Sequence, residues 1–120
     1  MLIGYANSKL QKIATRQKEA KKVLSQKSAA LVPQRLSELA AFENLGEIPL
    51  RAPPLHLHLL TKERKGQKQQ QGGFVIKLHG GDGIVFRPTG EFSKLEDGTL
   101  DTDTVTQVEI VFIGNYHGEQ

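Results

Sequence analysis

The hydrophobic period of this chain changes once, and prolines mark the change. Between residues 10 and 45 apolar side chains recur at helical spacing. Leu10, Ile13 and Ala14 form a first set, Ala20, Val23 and Leu24 a second, and Leu31, Val32, Leu36, Leu39, Ala40 and Leu45 a third. Pro49, Pro53 and Pro54 end the helical pattern, because proline lacks an N–H and disfavours helix at the residue before it. Beyond them the pattern is that of strands. Leu55, Leu57 and Leu59 alternate with His56, His58 and Leu60; residues 74–78 and 84–87 flank the turn Gly80-Gly81-Asp82-Gly83; residues 105–113 are apolar on both faces. With a short strand at residues 2–5 in front, the order predicts an α+β fold. N-terminal helices pack on a mostly antiparallel β-sheet of about four to five strands.

The element boundaries follow from local chemistry. Asn7 or Ser8 caps the first helix, and residues 8–25 form one helix or two. Ser28 is a candidate cap for the next helix. Pro33 is best tolerated in a first turn, which starts that helix near Leu31 and ends it before Gly46. His56 and His58 project together from one face of a strand over residues 55–60, opposite Leu55, Leu57 and Leu59. Residues 61–73 form a polar, glycine-rich loop. In the last strand Val108, Ile110 and Phe112 share one face, and Glu109, Val111 and Ile113 the other.

Composition narrows the function classes. The 120 residues include no cysteine, which excludes disulfides and thiolate zinc sites and makes a reducing cytoplasm the expected location. No apolar run approaches membrane-spanning length. Charge is unevenly distributed. Thirteen Lys and Arg face five acids in residues 1–68, and three face eight in residues 69–120. A basic first half suits a polyanion partner as well as a solvated helical face. Glycine motifs that cradle phosphate and H-E-x-x-H or G-x-S-x-G patterns do not occur.

Candidate chemistry rests on histidines and cations. His56 and His58 have H-x-H spacing, but no third ligand stands nearby in sequence, so a metal site is not expected. Lys62, Arg64, Lys65 and Lys68 follow His58 closely. A cationic loop beside an imidazole suits phosphate chemistry: histidine moves a proton, and guanidinium or ammonium groups hold phosphate oxygens. His117 follows Tyr116 just past the last strand, where a sheet can hold a catalytic group in place.

Four stretches then fit together: P-Q-R-L-S-E-L with E-N-L (Pro33 to Leu45), L-H-L-L-T-K-E-R-K-G (Leu57 to Gly66), I-V-F-R-P (Ile84 to Pro88), and V-E-I through Y-H (Val108 to His117). In order and spacing they resemble the HigB-like plasmid-maintenance killer proteins, a branch of the RelE/ParE toxin superfamily, over nearly the whole of residues 1–120 as one toxin domain. The resemblance implies a type II toxin-antitoxin toxin: a ribosome-dependent mRNA endonuclease that inhibits translation, needs no metal or cofactor, and pairs with a helix-turn-helix, HigA-like antitoxin in a hetero-oligomer. The substrate 2′-hydroxyl would attack the adjacent phosphate and leave a 2′,3′-cyclic phosphate. Carried over, the resemblance makes His58 and His117 the proton-transfer pair and Tyr116 their orienter. Arg64, Lys65 and Arg87 would bind phosphate, with Lys62 as a further candidate. The chain departs from the family pattern at Thr61, where a lysine is common, at Gly83, where an arginine is common, and at Asn115, where an acid is common. These departures keep two other classes in play: a catalytically degenerate relative that only binds antitoxin or ribosome, and a gyrase poison sharing the fold.

Overall fold

The computed structural model describes residues 1–60 and 73–116. The elements run β1 (Leu2–Tyr5), α1 (Ser8–Thr15), α2 (Gln17–Val23), α3 (Gln26–Ala41), a 3₁₀ turn at Leu45–Glu47, β2 (His58–Leu59), β3 (Phe74–Lys77), β4 (Asp82–Thr89), a 3₁₀ turn at Thr102–Thr104 and β5 (Gln107–Asn115). The strands form one sheet in the order β1-β5-β4-β3-β2. All neighbours are antiparallel except β1 and β5, which run parallel, with α1–α3 and β2–β4 between them in the chain. The expected α+β architecture is present, with a five-stranded mixed sheet.

The N-terminal helices are separated by extended residues. Asn7 caps α1 by accepting the Leu10 N–H at 2.9 Å. Arg16 is extended and divides residues 8–23 into two short helices. Leu10, Ile13 and Ala14 of α1 and Ala20 of α2 face the core.

The third helix corrects the sequence expectation. Ser25, not Ser28, caps it, accepting the Ser28 N–H at 3.1 Å, and Pro33 lies in its interior. Proline cannot donate to the carbonyl four residues back, which belongs to Ala29. The Gln17 side chain supplies the missing donor: its Nε2 reaches the Ala29 carbonyl at 2.6 Å. Ser28, fully buried, instead ties the helix to the β3–β4 turn. Its hydroxyl donates to Asp82 Oδ2 at 2.7 Å and accepts the His79 N–H at 3.2 Å.

The main core lies between helices and sheet, with Val32, Leu39, Ile76, Ile84, Phe86, Val108 and Ile110 fully or almost fully buried. Phe74 and Phe86, opposite each other on β3 and β4, stack with centroids 5.8 Å apart, a contact worth about 0.5–1.5 kcal/mol beyond its buried area. The register of β4 against β5 shifts between Val85 and Phe86, which pair with Phe112 and Ile110. Val111 is the extra residue of this bulge, and it reverses the alternation beyond it. Ile113 therefore joins Val108 and Ile110 in the helix-side core, while Phe112 packs on the other face, opposite to the strict alternation read from the sequence.

The strand expected over residues 55–60 is also shorter. Only His58–Leu59 pairs with β3. Residues 51–56 are taken up largely by turns: Arg51 and His56 adopt positive φ (55° and 50°), and the His56 N–H closes onto the Ala52 carbonyl at 2.8 Å. Leu55 is buried from a turn and Leu57 from an isolated bridge to Leu50, so their alternation reflects burial without a strand over these residues.

Candidate functional site

The face of the sheet turned away from the helices carries a second, smaller apolar cluster. Leu60, Val75, Val85 and Tyr116 are buried there, with Val111 and Phe112 at its margin. His58, opposite Val75 in the register, stands on this face and is half-exposed. The bed of valines gives the imidazole a fixed, partly dry seat.

His58 and Tyr116, 58 positions apart in the chain, meet here. Their rings lie 5.6 Å apart at 48°, and the phenol oxygen is 3.3 Å from His58 Nε2. The other ring nitrogen, Nδ1, is 3.2 Å from the His56 carbonyl. A carbonyl only accepts, so Nδ1 carries the proton and neutral His58 presents its lone pair at Nε2. The Tyr116 hydroxyl then donates to that lone pair. Burial pushes the Tyr116 phenol above its ordinary value, and the Arg51 guanidinium partly opposes the shift. Near neutral pH the group is therefore a hydrogen-bond donor and not a phenolate.

The strained turn before β2 sets these positions. Left-handed backbone at a residue other than glycine costs about 1–3 kcal/mol, and such residues concentrate at functional sites. Arg51 and His56 both adopt it within six residues. The Arg51 N–H is held by the Leu57 carbonyl at 2.8 Å, which brings its cation close enough to influence Tyr116. Nothing in the local sequence marks Arg51 as a site residue. Its place depends on the turn.

Gly83 has a role that its sequence position hides. It lies in β4 beneath Tyr116, and a Cβ built on it would come within 2.9 Å of Tyr116 Cδ1 and Cε1 and of Val75 Cγ1. Where an arginine is common in the resembling family, this chain seats an aromatic ring.

One further sequence-derived candidate, Arg87, lies among the described residues. It is on β4 two residues beyond Val85, which pairs with Val75, the partner of His58, and so it stands on the same face of the sheet. Its Nε is 3.6 Å from Glu109 Oε1. His117, Lys62, Arg64 and Lys65 lie outside the described residues, as do Thr61 and Lys68. His56 stands in a turn outside β2, not beside His58 on a strand face. Among the described residues no three His, Asp or Glu side chains gather as a metal-binding group. No helix among them is long and apolar enough to cross a membrane.

Comparison of the chain with protein-family models, with curated proteins and with solved structures gave no match.

Proposed function

We propose that the chain is the toxin of a type II toxin-antitoxin pair, a cytoplasmic, ribosome-dependent mRNA endonuclease that works without a metal. The observation that carries this reading is the His58–Tyr116 pair on the sheet face away from the helices, with Arg51 near enough to act on the phenol and His117 next in sequence after Tyr116.

In this mechanism His58 Nε2 is the general base. The 3.3 Å bond from Tyr116 is long, so a substrate 2′-hydroxyl competes for the same lone pair. The hydroxyl proton passes to Nε2 as the 2′-oxygen bonds to phosphorus. The displaced Tyr116 hydroxyl then donates to a non-bridging phosphate oxygen, where negative charge grows. Arg51 adds positive charge that acts on Tyr116. The P–O5′ bond breaks, the 5′-oxygen takes a proton from His117, and a 2′,3′-cyclic phosphate remains. Proton transfer of this kind contributes about 10²–10⁴-fold each. A HigA-like helix-turn-helix antitoxin would be the silencing partner.

A second reading, a toxin-fold protein that binds antitoxin or ribosome without cutting RNA, is favoured by one observation. The Arg87 guanidinium, a phosphate ligand in the first reading, is engaged by Glu109 at 3.6 Å. Inducible expression separates the two. Wild type should arrest growth and create new mRNA 5′ ends. His58→Ala should remove both effects, and Tyr116→Phe should reduce cleavage about 10²-fold. Arrest that persists in His58→Ala without new 5′ ends would establish the binding reading instead.

A further inference from the structure

One cluster of basic side chains lies outside the His58–Tyr116 pair. A hollow of about 260 Å³ opens between α3, the β3–β4 turn and the turn that precedes β2, lined by Arg35, Pro54, His56, Lys77, Leu78 and Gly80. Three of those six residues carry basic side chains and none is acidic.

Arg35 is held rigidly at this hollow. Its side chain is only 15% exposed; Nε donates to the Lys77 carbonyl at 3.2 Å and Nη1 to Glu38 Oε1 at 2.9 Å. A guanidinium has five N–H donors in a fixed fork, so these two bonds orient it and leave donors for a ligand. Glu38 offsets part of the charge but does not line the hollow. Lys77 lines the hollow from the last residue of β3, with its carbonyl holding Arg35 and its side chain leaving on the Val75 face. His56 faces the hollow because of its left-handed backbone, held by the bond from its N–H to Ala52.

The hollow adjoins the candidate active site. Lys77 is two residues along β3 from Val75, the partner of His58, which places its Cα about 8 Å from that of His58. It pairs with Gly83, on which the Tyr116 ring rests. The His56 carbonyl holds His58 Nδ1, so His56 belongs to both places.

We infer that this hollow is a phosphate subsite, in which Arg35, Lys77 and His56 hold a backbone phosphate of the RNA strand next to the one at His58. The inference rests on the RNA-cleaving reading for its choice of ligand and on the hollow itself for the chemistry. A single strand passing around the β2 edge of the sheet would place one phosphate at His58 and a neighbouring one here. Lys77 is a positioning residue, acting on register and affinity rather than on the proton transfers.

The test is binding of a fluorescein-labelled single-stranded RNA of about a dozen nucleotides to the full chain, over a range of salt concentrations. Each phosphate contact contributes about 0.7 to the slope of log affinity against log salt for a single strand. Lys77→Gln should weaken binding at low salt and lower the slope by about 0.7. Lys77→Arg should restore both. A melting temperature equal to that of wild type shows that Lys77→Gln is folded. Unchanged affinity and slope in Lys77→Gln, or no binding by wild type at low salt, overturns the subsite. The outcomes are separable from those of the cleavage reading. If His58→Ala abolishes mRNA cuts while Lys77→Gln binds as wild type, the nuclease stands and the subsite falls. If Lys77→Gln loses a phosphate contact and no protein cuts mRNA, the subsite stands and the nuclease falls.

Discussion

A single methyl group at residue 83 would disturb the candidate site, because the Tyr116 ring rests where that carbon would be. Gly83→Ala should destabilise the protein by about 1–3 kcal/mol, as overpacking does, and move Tyr116 off His58 Nε2. Thermal unfolding would show the first effect and a histidine-detected NMR spectrum the second. An unchanged melting temperature and unchanged His58 resonances would refute this account of the glycine. The same contact explains why the arginine of the resembling family has no room here.

At the scale of elements, α3 shows how a local rule is satisfied from a distance. Pro33 leaves the Ala29 carbonyl without its helical donor, and Gln17 of α2 provides one. Gln17→Leu should therefore cost about 1 kcal/mol in urea denaturation. In a Pro33→Ala background, where residue 33 regains its N–H, the same change should cost much less. A double-mutant cycle measures that coupling, and equal losses in both backgrounds would show that Gln17 does not serve the proline. The β4–β5 bulge is a second case. One extra residue, Val111, exchanges the faces of Phe112 and Ile113 and so supplies the aromatic margin of the second cluster.

For the whole molecule, two phenols, Tyr116 buried and Tyr5 partly buried, predict how stability varies with pH. Burial raises both Tyr5 and Tyr116 above the ordinary value of 10.0. A folded value raised above the unfolded one gives stability that is fully present below about pH 10 and is lost as pH rises through the folded value. The melting temperature should therefore fall on alkaline titration from this point, and Tyr116→Phe should remove part of the fall. Arg51→Gln should raise the Tyr116 transition further, followed by phenolate absorbance, since the opposing cation is gone. A Tyr116 transition that stays in place would disconnect Arg51 from the phenol. Packing also links distant parts: buried Ser28 joins α3 to the β3–β4 turn through Asp82 and His79, beside the hollow that Arg35 and Lys77 line.

The α+β class, the order of helices and strands, the Asn7 cap and the glycine hairpin were all legible in the chain, because each depends on spacing or on local hydrogen bonds. His58 was legible from the cationic run that follows it, and the role of Tyr116 only through the resemblance. Their meeting required the sheet, since Tyr116 reaches from the end of β5 over Gly83 of β4 toward His58 of β2. Pro33 misled the helix boundary because its compensating donor lies sixteen residues earlier. The alternation at residues 55–60 misled the strand assignment because burial alone produces the same pattern. Arg51, Gly83 and the Arg35–His56–Lys77 hollow depend on contacts between residues far apart in sequence. Periodicity reports which side chains leave water, whereas tertiary packing decides which of them meet, and the candidate site is made of such meetings.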